Sequence, residues 1–165
     1  MTRRLPLIAY GLAALVIIVD QVSKHWILNG LQLELQRPLP VLPFFNLTLV
    51  HNQGCSFGLC QLPAGQDVMR WVLAVFSLAV SIGLAVWVRK VARPLTAIAI
   101  GLIIGGALGN LIDRVRFGWV VDFLDFSGLH FPWVFNVADS GITVGVAILL
   151  IETLLTPDKP KPASQ

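Results

Sequence analysis

The chain has 165 residues, 56% of them hydrophobic and only 13% charged, with a mean hydropathy of +0.78. A soluble domain carries about 25% charged residues, so the composition excludes an ordinary soluble fold and indicates a polytopic membrane protein. The net charge of +3 is small and gives no reason to expect a nucleic-acid partner.

Arg3 and Arg4 precede an apolar run from Leu5 to Leu28 that has no small-residue cleavage site. A secretory h-region is about 7–15 residues long, so this run is expected to be a retained first span, residues 7–28, with the arginines as its cytoplasmic anchor. Asp20 and Lys24 stand four residues apart on one helical face. They either neutralise each other during insertion or support a polar site near the external end.

In the following loop Phe45, Leu47 and Leu49 alternate with Asn46 and Thr48, a strand pattern. Pro38, Pro40 and Pro43 precede it, and Asn52-Gln53-Gly54 ends it in a turn. A small extracytoplasmic sheet on the membrane surface is expected. Cys55 and Cys60 have no metal-type partners nearby and are expected to be unpaired. His25, His51 and His130 are scattered, and there is no glycine-rich phosphate loop. No metal and no cofactor are expected.

Three further runs reach the roughly 20 residues needed to cross a bilayer: residues 69–88, 95–112 and 137–155. Arg89, Lys90, Arg93 and Pro94 separate the second from the third. Arg3, Arg4, Arg89, Lys90, Arg93, Lys159 and Lys161, seven of the twelve basic residues, fall on one side of four alternating spans, the cytoplasmic side by the positive-inside rule. Both termini are then cytoplasmic. Residues 1–156 read as a single membrane-embedded domain, and residues 157–165 as a disordered tail. Gly101, Gly105 and Gly109 on the third span, with Gly141 and Gly145 on the fourth, suggest close helix contact between those two spans.

The richest chemistry lies between Gly105 and Ser140. Carboxylates are expensive at membrane depth and are retained there mainly for chemistry or transport, yet this segment holds Asp113, Asp122, Asp125 and Asp139. Asn110 and Asp113 share a helical face, and the adjacent Arg114 is expected to keep Asp113 charged, as a structural anchor. Asp122 sits in the apolar context Val-Val-Asp-Phe; Asp139 opens the fourth span, with Asn136 three residues before it. Two such carboxylates brought together cannot both ionise easily, so one serves as acid and the other as base. Periodicity leaves Asp113–Asp139 and Asp122–Asp139 both open as the pair. Asp125 reads as an interfacial acid. Trp119, Phe123, Phe126, Phe131 and Trp133 suit an aromatic segment lying flat at the interface. Gly118 and Gly128 read as turn glycines there. A proton-coupled transporter is the main alternative to an enzyme, although Glu152 is a poor step toward the cytoplasm. A non-catalytic assembly factor would leave the paired acids unexplained.

Five blocks, in order, resemble bacterial lipoprotein signal peptidase, also called signal peptidase II. They are Val19-Asp20-Gln21-Val22-Ser23-Lys24, Asn52-Gln53-Gly54-Cys55-Ser56-Phe57-Gly58, Gly105–Arg114, Val120-Val121-Asp122-Phe123, and Phe135-Asn136-Val137-Ala138-Asp139-Ser140. Cys55 stands where that family more often has a small residue. The resemblance implies an all-α polytopic fold of four transmembrane helices with a small sheet and an interfacial segment, in the bacterial inner membrane. It implies an aspartic endopeptidase whose dyad corresponds to Asp122 and Asp139. Asp20, Lys24, Asn52, Gly54, Asn110, Asp113, Arg114 and Asn136 would line or brace the pocket. The implied substrate is a diacylglyceryl-modified prolipoprotein, cut before its lipidated cysteine by a monomer in contact with membrane lipid and sensitive to globomycin-type peptides.

Overall fold

A computed structural model describes residues 4–54 and 66–155. The cysteine expectation (Cys55 and Cys60) and the tail expectation lie outside these residues. In chain order the elements are α1 (Leu5–His25), a π-helical turn (Trp26–Gly30), β1 (Leu39–Leu42), β2 (Phe45–Asn52), α2 (Gln66–Trp87), α3 (Pro94–Phe117), β3 (Val120–Asp125), β4 (Val134–Phe135) and α4 (Val137–Leu155). Four segments are long and apolar enough to cross a membrane: Leu5–Gly30, Val68–Lys90, Pro94–Phe117 and Val137–Leu155. The protein is a multi-pass membrane protein with a four-stranded antiparallel sheet, ordered β1-β2-β3-β4.

The third helix is the centre of the bundle. Within its most apolar stretch 61% of residues are buried, against 17–22% in the other three spans. Its small residues explain this, because they let two neighbouring backbones approach from different sides. Gly101, Gly105 and Gly109 recur every four residues and so share one face, and that face meets α1. A Cβ at Gly101 would lie 2.6 Å from the Ala9 carbonyl oxygen, and one at Gly105 would lie 2.8 Å from that of Ala13. The expected contact between the third and fourth spans does form, but through other positions. Gly106, about 100° around the helix from Gly105, meets Ala138, while Gly141 and Gly145 of α4 meet the Leu102 and Ala99 carbonyls.

The third helix also runs five residues past its expected end at Ile112. It stops at Gly118, whose left-handed backbone (φ 86°) closes the last turn. Arg70 of α2 completes the cap by donating to the Arg114 carbonyl at 2.6 Å and the Val115 carbonyl at 2.9 Å. A cation at a helix C-terminus also complements the macrodipole.

The sheet is larger than the alternation in β2 alone suggested. The aromatic segment after α3 supplies β3 and β4 as well as a short turn. Leu47 and Leu49 of β2 join Val121 and Phe123 of β3 and Ile27 of the π-helical turn in one buried cluster. The strand period of two then sends Asp122 to the opposite face. Gly128 fits tightly under the backbone of Phe44, as a turn glycine should.

Substituting Ala at Gly101 forces apart the backbones of α1 and α3 and is expected to cost about 1–3 kcal/mol. The same change at Gly11, where no atom lies within 4 Å of the added Cβ, serves as the control. Thermal unfolding in detergent should show a lower midpoint for Gly101→Ala only; equal midpoints would contradict the packing described.

Candidate active site

Asp122 is placed by the β2–β3 register. Val50 lies opposite it, and Asn52, two residues on, occupies the same face. The Asn52 amide accordingly donates to Asp122 Oδ2 at 2.9 Å, while its Oδ1 accepts the Gly54 backbone N–H at 3.1 Å and closes the turn. Strand β4 is only two residues long and pairs with Leu124 and Asp125, so the neighbouring edge of β3 is open at Val121. Side chains fill it. The Val121 N–H donates to Asp113 Oδ2 at 3.1 Å, and its carbonyl accepts from the Asn136 amide at 3.3 Å.

Asp139 is placed by the start of α4. Asn136 caps that helix: its Oδ1 accepts the Asp139 N–H at 2.9 Å, and Asp139 Oδ2 returns the bond to the Asn136 N–H at 3.3 Å. This reciprocal pair is a capping box with Asp in the usual Glu position. Asp20 of α1 takes the next orphan donor, the Ala138 N–H, at 3.0 Å. The Asn136 amide also donates to Asp122 Oδ1 at 2.7 Å, and the Asn110 amide to Asp139 Oδ1 at 2.8 Å.

Lys24 joins these parts. Its ammonium, 2% exposed, lies 2.8 Å from both Asp20 Oδ2 and Asp113 Oδ2, and donates to Asn110 Oδ1 at 3.1 Å. The cation that pairs with Asp113 is therefore Lys24 of α1, not the adjacent Arg114. Arg114 points instead toward the Asn110 carbonyl at 3.4 Å, within electrostatic reach of Asp139, Asp122 and Asp113. Gln21, absent from the expected site, also belongs to this cluster. Its amide donates to Asp113 Oδ1 at 2.9 Å and lies 3.2 Å from Asp20 Oδ2 and from the Gly109 carbonyl. Its three-residue spacing from Lys24 is the sequence signal that could have included it.

A cavity of about 1010 Å³ opens beside this network. The end of β2 (His51 to Gly54) and Asp122 form one wall. The turn from Phe131 to Phe135 forms a second, and Asp139, Ser140, Thr143 and Val144 of α4 form a third. Both Asp122 and Asp139 line it; Asp113 does not. Asp122 is almost wholly buried (2% exposed). That burial, followed by the charge of Asp139, pushes its pKa up to about 7, and the amides of Asn52 and Asn136 offset the rise only in part.

Other residues of the expected site region are also engaged. Asp125 is buried within the protein, where it accepts from the Thr48 hydroxyl and from the Ser127 N–H. His51 stacks on Trp119 with ring centroids 3.5 Å apart. At the far end of the bundle, Glu152 accepts from the Thr96 hydroxyl at 2.6 Å and lies 3.9 Å from Arg93.

A family model described as signal peptidase (SPase) II matches residues 12–155. The lipoprotein signal peptidase of Caulobacter vibrioides is 58% identical over 150 residues, covering 90% of this chain and 88% of that protein. Its counterpart in Methylorubrum extorquens is 44% identical over 147 residues, covering 87% and 85%. A solved structure described as a bacterial membrane enzyme matches with a TM-score of 0.79 at 31% identity over 94% of each chain. A second with the same description reaches 0.75 at 32% identity, covering 90% of this chain and 94% of its own. Fold and site thus define a multi-pass membrane peptidase. The chain belongs to the signal peptidase II family.

Removing Lys24 leaves two buried carboxylates facing each other, a change that typically costs about 3–5 kcal/mol. Lys24→Met should therefore lower the unfolding midpoint sharply. Adding Asp20→Asn and Asp113→Asn, each of which removes the charge and keeps one oxygen to accept the Ala138 or Val121 N–H, should recover much of the loss. A triple variant no more stable than Lys24→Met would contradict the charge account.

Proposed function

We propose that this protein removes the signal peptide from diacylglyceryl-modified prolipoproteins, cleaving just before the lipidated cysteine, with Asp122 and Asp139 as the catalytic pair. The observation that carries this reading is the shared cavity: two carboxylates meet it, and one of them, Asp122, has a pKa raised to about 7. Paired carboxylates that share one proton activate water directly against an amide, without a covalent intermediate.

Asp139, held at the positive end of the α4 dipole, is the base. It takes a proton from a water, whose oxygen attacks the scissile carbonyl. Asp122 gives its proton to the carbonyl oxygen, forming a neutral tetrahedral diol. As the C–N bond breaks, the proton held by Asp139 passes to the departing amine, and a diol hydroxyl returns its proton to Asp122. The pair ends as it began. Asn110 and Asn136 hold the two carboxylates through one amide network. Asn52 and Gly54 shape the strand end beside Asp122. Asp20, Lys24 and Asp113 brace the site, and Arg114 adds positive charge beside it.

In this reading residues 1–156 form one peptidase unit, acting as a monomer with both termini in the cytoplasm. Its acids lie near the outer face of the bacterial inner membrane, where the substrate's acyl chains lie, and globomycin-type peptides compete for the same cavity. A transporter is disfavoured because the buried charged residues gather at one end of the bundle, while Glu152 at the other is engaged by Thr96 and Arg93.

Incubating the purified protein with a diacylglyceryl-modified prolipoprotein should produce the size shift of signal-peptide removal. Asp122→Asn and Asp139→Asn should each reduce turnover about a thousandfold or more while still folding; normal turnover by either would remove it from the pair. Activity needs Asp122 protonated, so kcat/KM should fall as pH rises through about 7. A profile flat from pH 6 to 9 would oppose the acid role.

A further inference from the structure

Thr143 lies one helical turn beyond Asp139 on the same face of α4 and lines the same cavity, on the side away from the sheet. Its side chain is exposed, and among the described residues its hydroxyl has no hydrogen-bond partner. Ser81, Ser140 and Thr153, by contrast, each donate their hydroxyl to the carbonyl four residues back in their own helix. Ile142 and Val144 flank Thr143 in the chain, and they and the rings of Phe131 and Trp133 give the same cavity an apolar lining.

A peptide must be extended at the bond to be cut, which releases its backbone carbonyls from helical pairing. In an apolar groove each unpaired carbonyl is costly. We infer that the Thr143 hydroxyl is a substrate-binding group, donating to a backbone carbonyl of the signal peptide upstream of the scissile bond. The position follows from geometry. Four helix residues rise about 6 Å, and an extended chain advances about 3.3 Å per residue, so the carbonyl lies about two residues before the cleavage point. This inference rests on the peptidase reading above.

The test is steady-state cleavage of a diacylglyceryl-modified prolipoprotein by wild type, Thr143→Val and Thr143→Ser, run side by side. Valine keeps the shape and removes the hydroxyl; serine keeps the hydroxyl. Thr143→Val should raise KM about fivefold, the loss expected for one net hydrogen bond, with kcat within about twofold. Thr143→Ser should stay close to wild type. A Thr143→Val KM equal to wild type would overturn the inference. So would a Thr143→Ser as impaired as Thr143→Val, because the methyl group and not the hydroxyl would then carry the effect. No cleavage by folded wild type would instead sink the peptidase reading itself.

Discussion

The buried ammonium of Lys24 is the interaction on which the rest of the site depends. It draws Asp20 and Asp113 together, each 2.8 Å away, and each of these carboxylates also accepts one backbone N–H. The donors are Ala138 and Val121, the residues that immediately precede Asp139 and Asp122. One charge on α1 thereby fixes a helix start and a strand segment relative to each other. An ion triad this dry would be a poor source of stability compared with apolar packing. Its value is positional: it sets where the backbone just before Asp139 and Asp122 stands.

The helix packing has to be close for this to work. Lys24 reaches α3 only because α1 lies against a glycine face, where Gly109 leaves room for the Asp20 carboxylate. The other side of α3 receives α4 through Gly106, Gly141 and Gly145. Small residues in the apolar spans and charged residues at one end are therefore two halves of one arrangement. The first sets how near the backbones come, and the second uses that nearness.

Much of this was legible in the sequence. Hydropathy located the four spans, alternation at Phe45, Leu47 and Leu49 located β2, and the ordered motif blocks pointed to the family. What failed depended on which faces meet. The Gly101, Gly105 and Gly109 stripe was expected to meet the fourth span and meets the first, because periodicity defines a face but does not choose its partner. Asp113 was paired with its neighbour Arg114, yet its cation comes from 89 positions earlier in the chain. Strand β3 was hidden because the run Val120–Asp125 is buried along nearly its whole length, leaving no polar alternation to read. The hydrogen bond from Thr48 to Asp125 was hidden too, because the two residues lie 77 positions apart and meet only across the sheet.

The cavity has a direction. Among the described residues its walls come from the sheet, the aromatic segment and α4, and none comes from α1, α2 or α3. Among these walls α4 is the one membrane-spanning helix, so the cavity lies beside a span and not within the core of the bundle. A membrane-anchored guest can enter by sliding sideways through the lipid, with no separation of the glycine-packed helices. Encounter then becomes a search in two dimensions, governed by the guest's density in the bilayer rather than its concentration in water. Helix α4 serves core and cavity at once: Gly141 and Gly145 pack it against α3, while Asp139, Thr143 and Val144 on the same helix line the cavity.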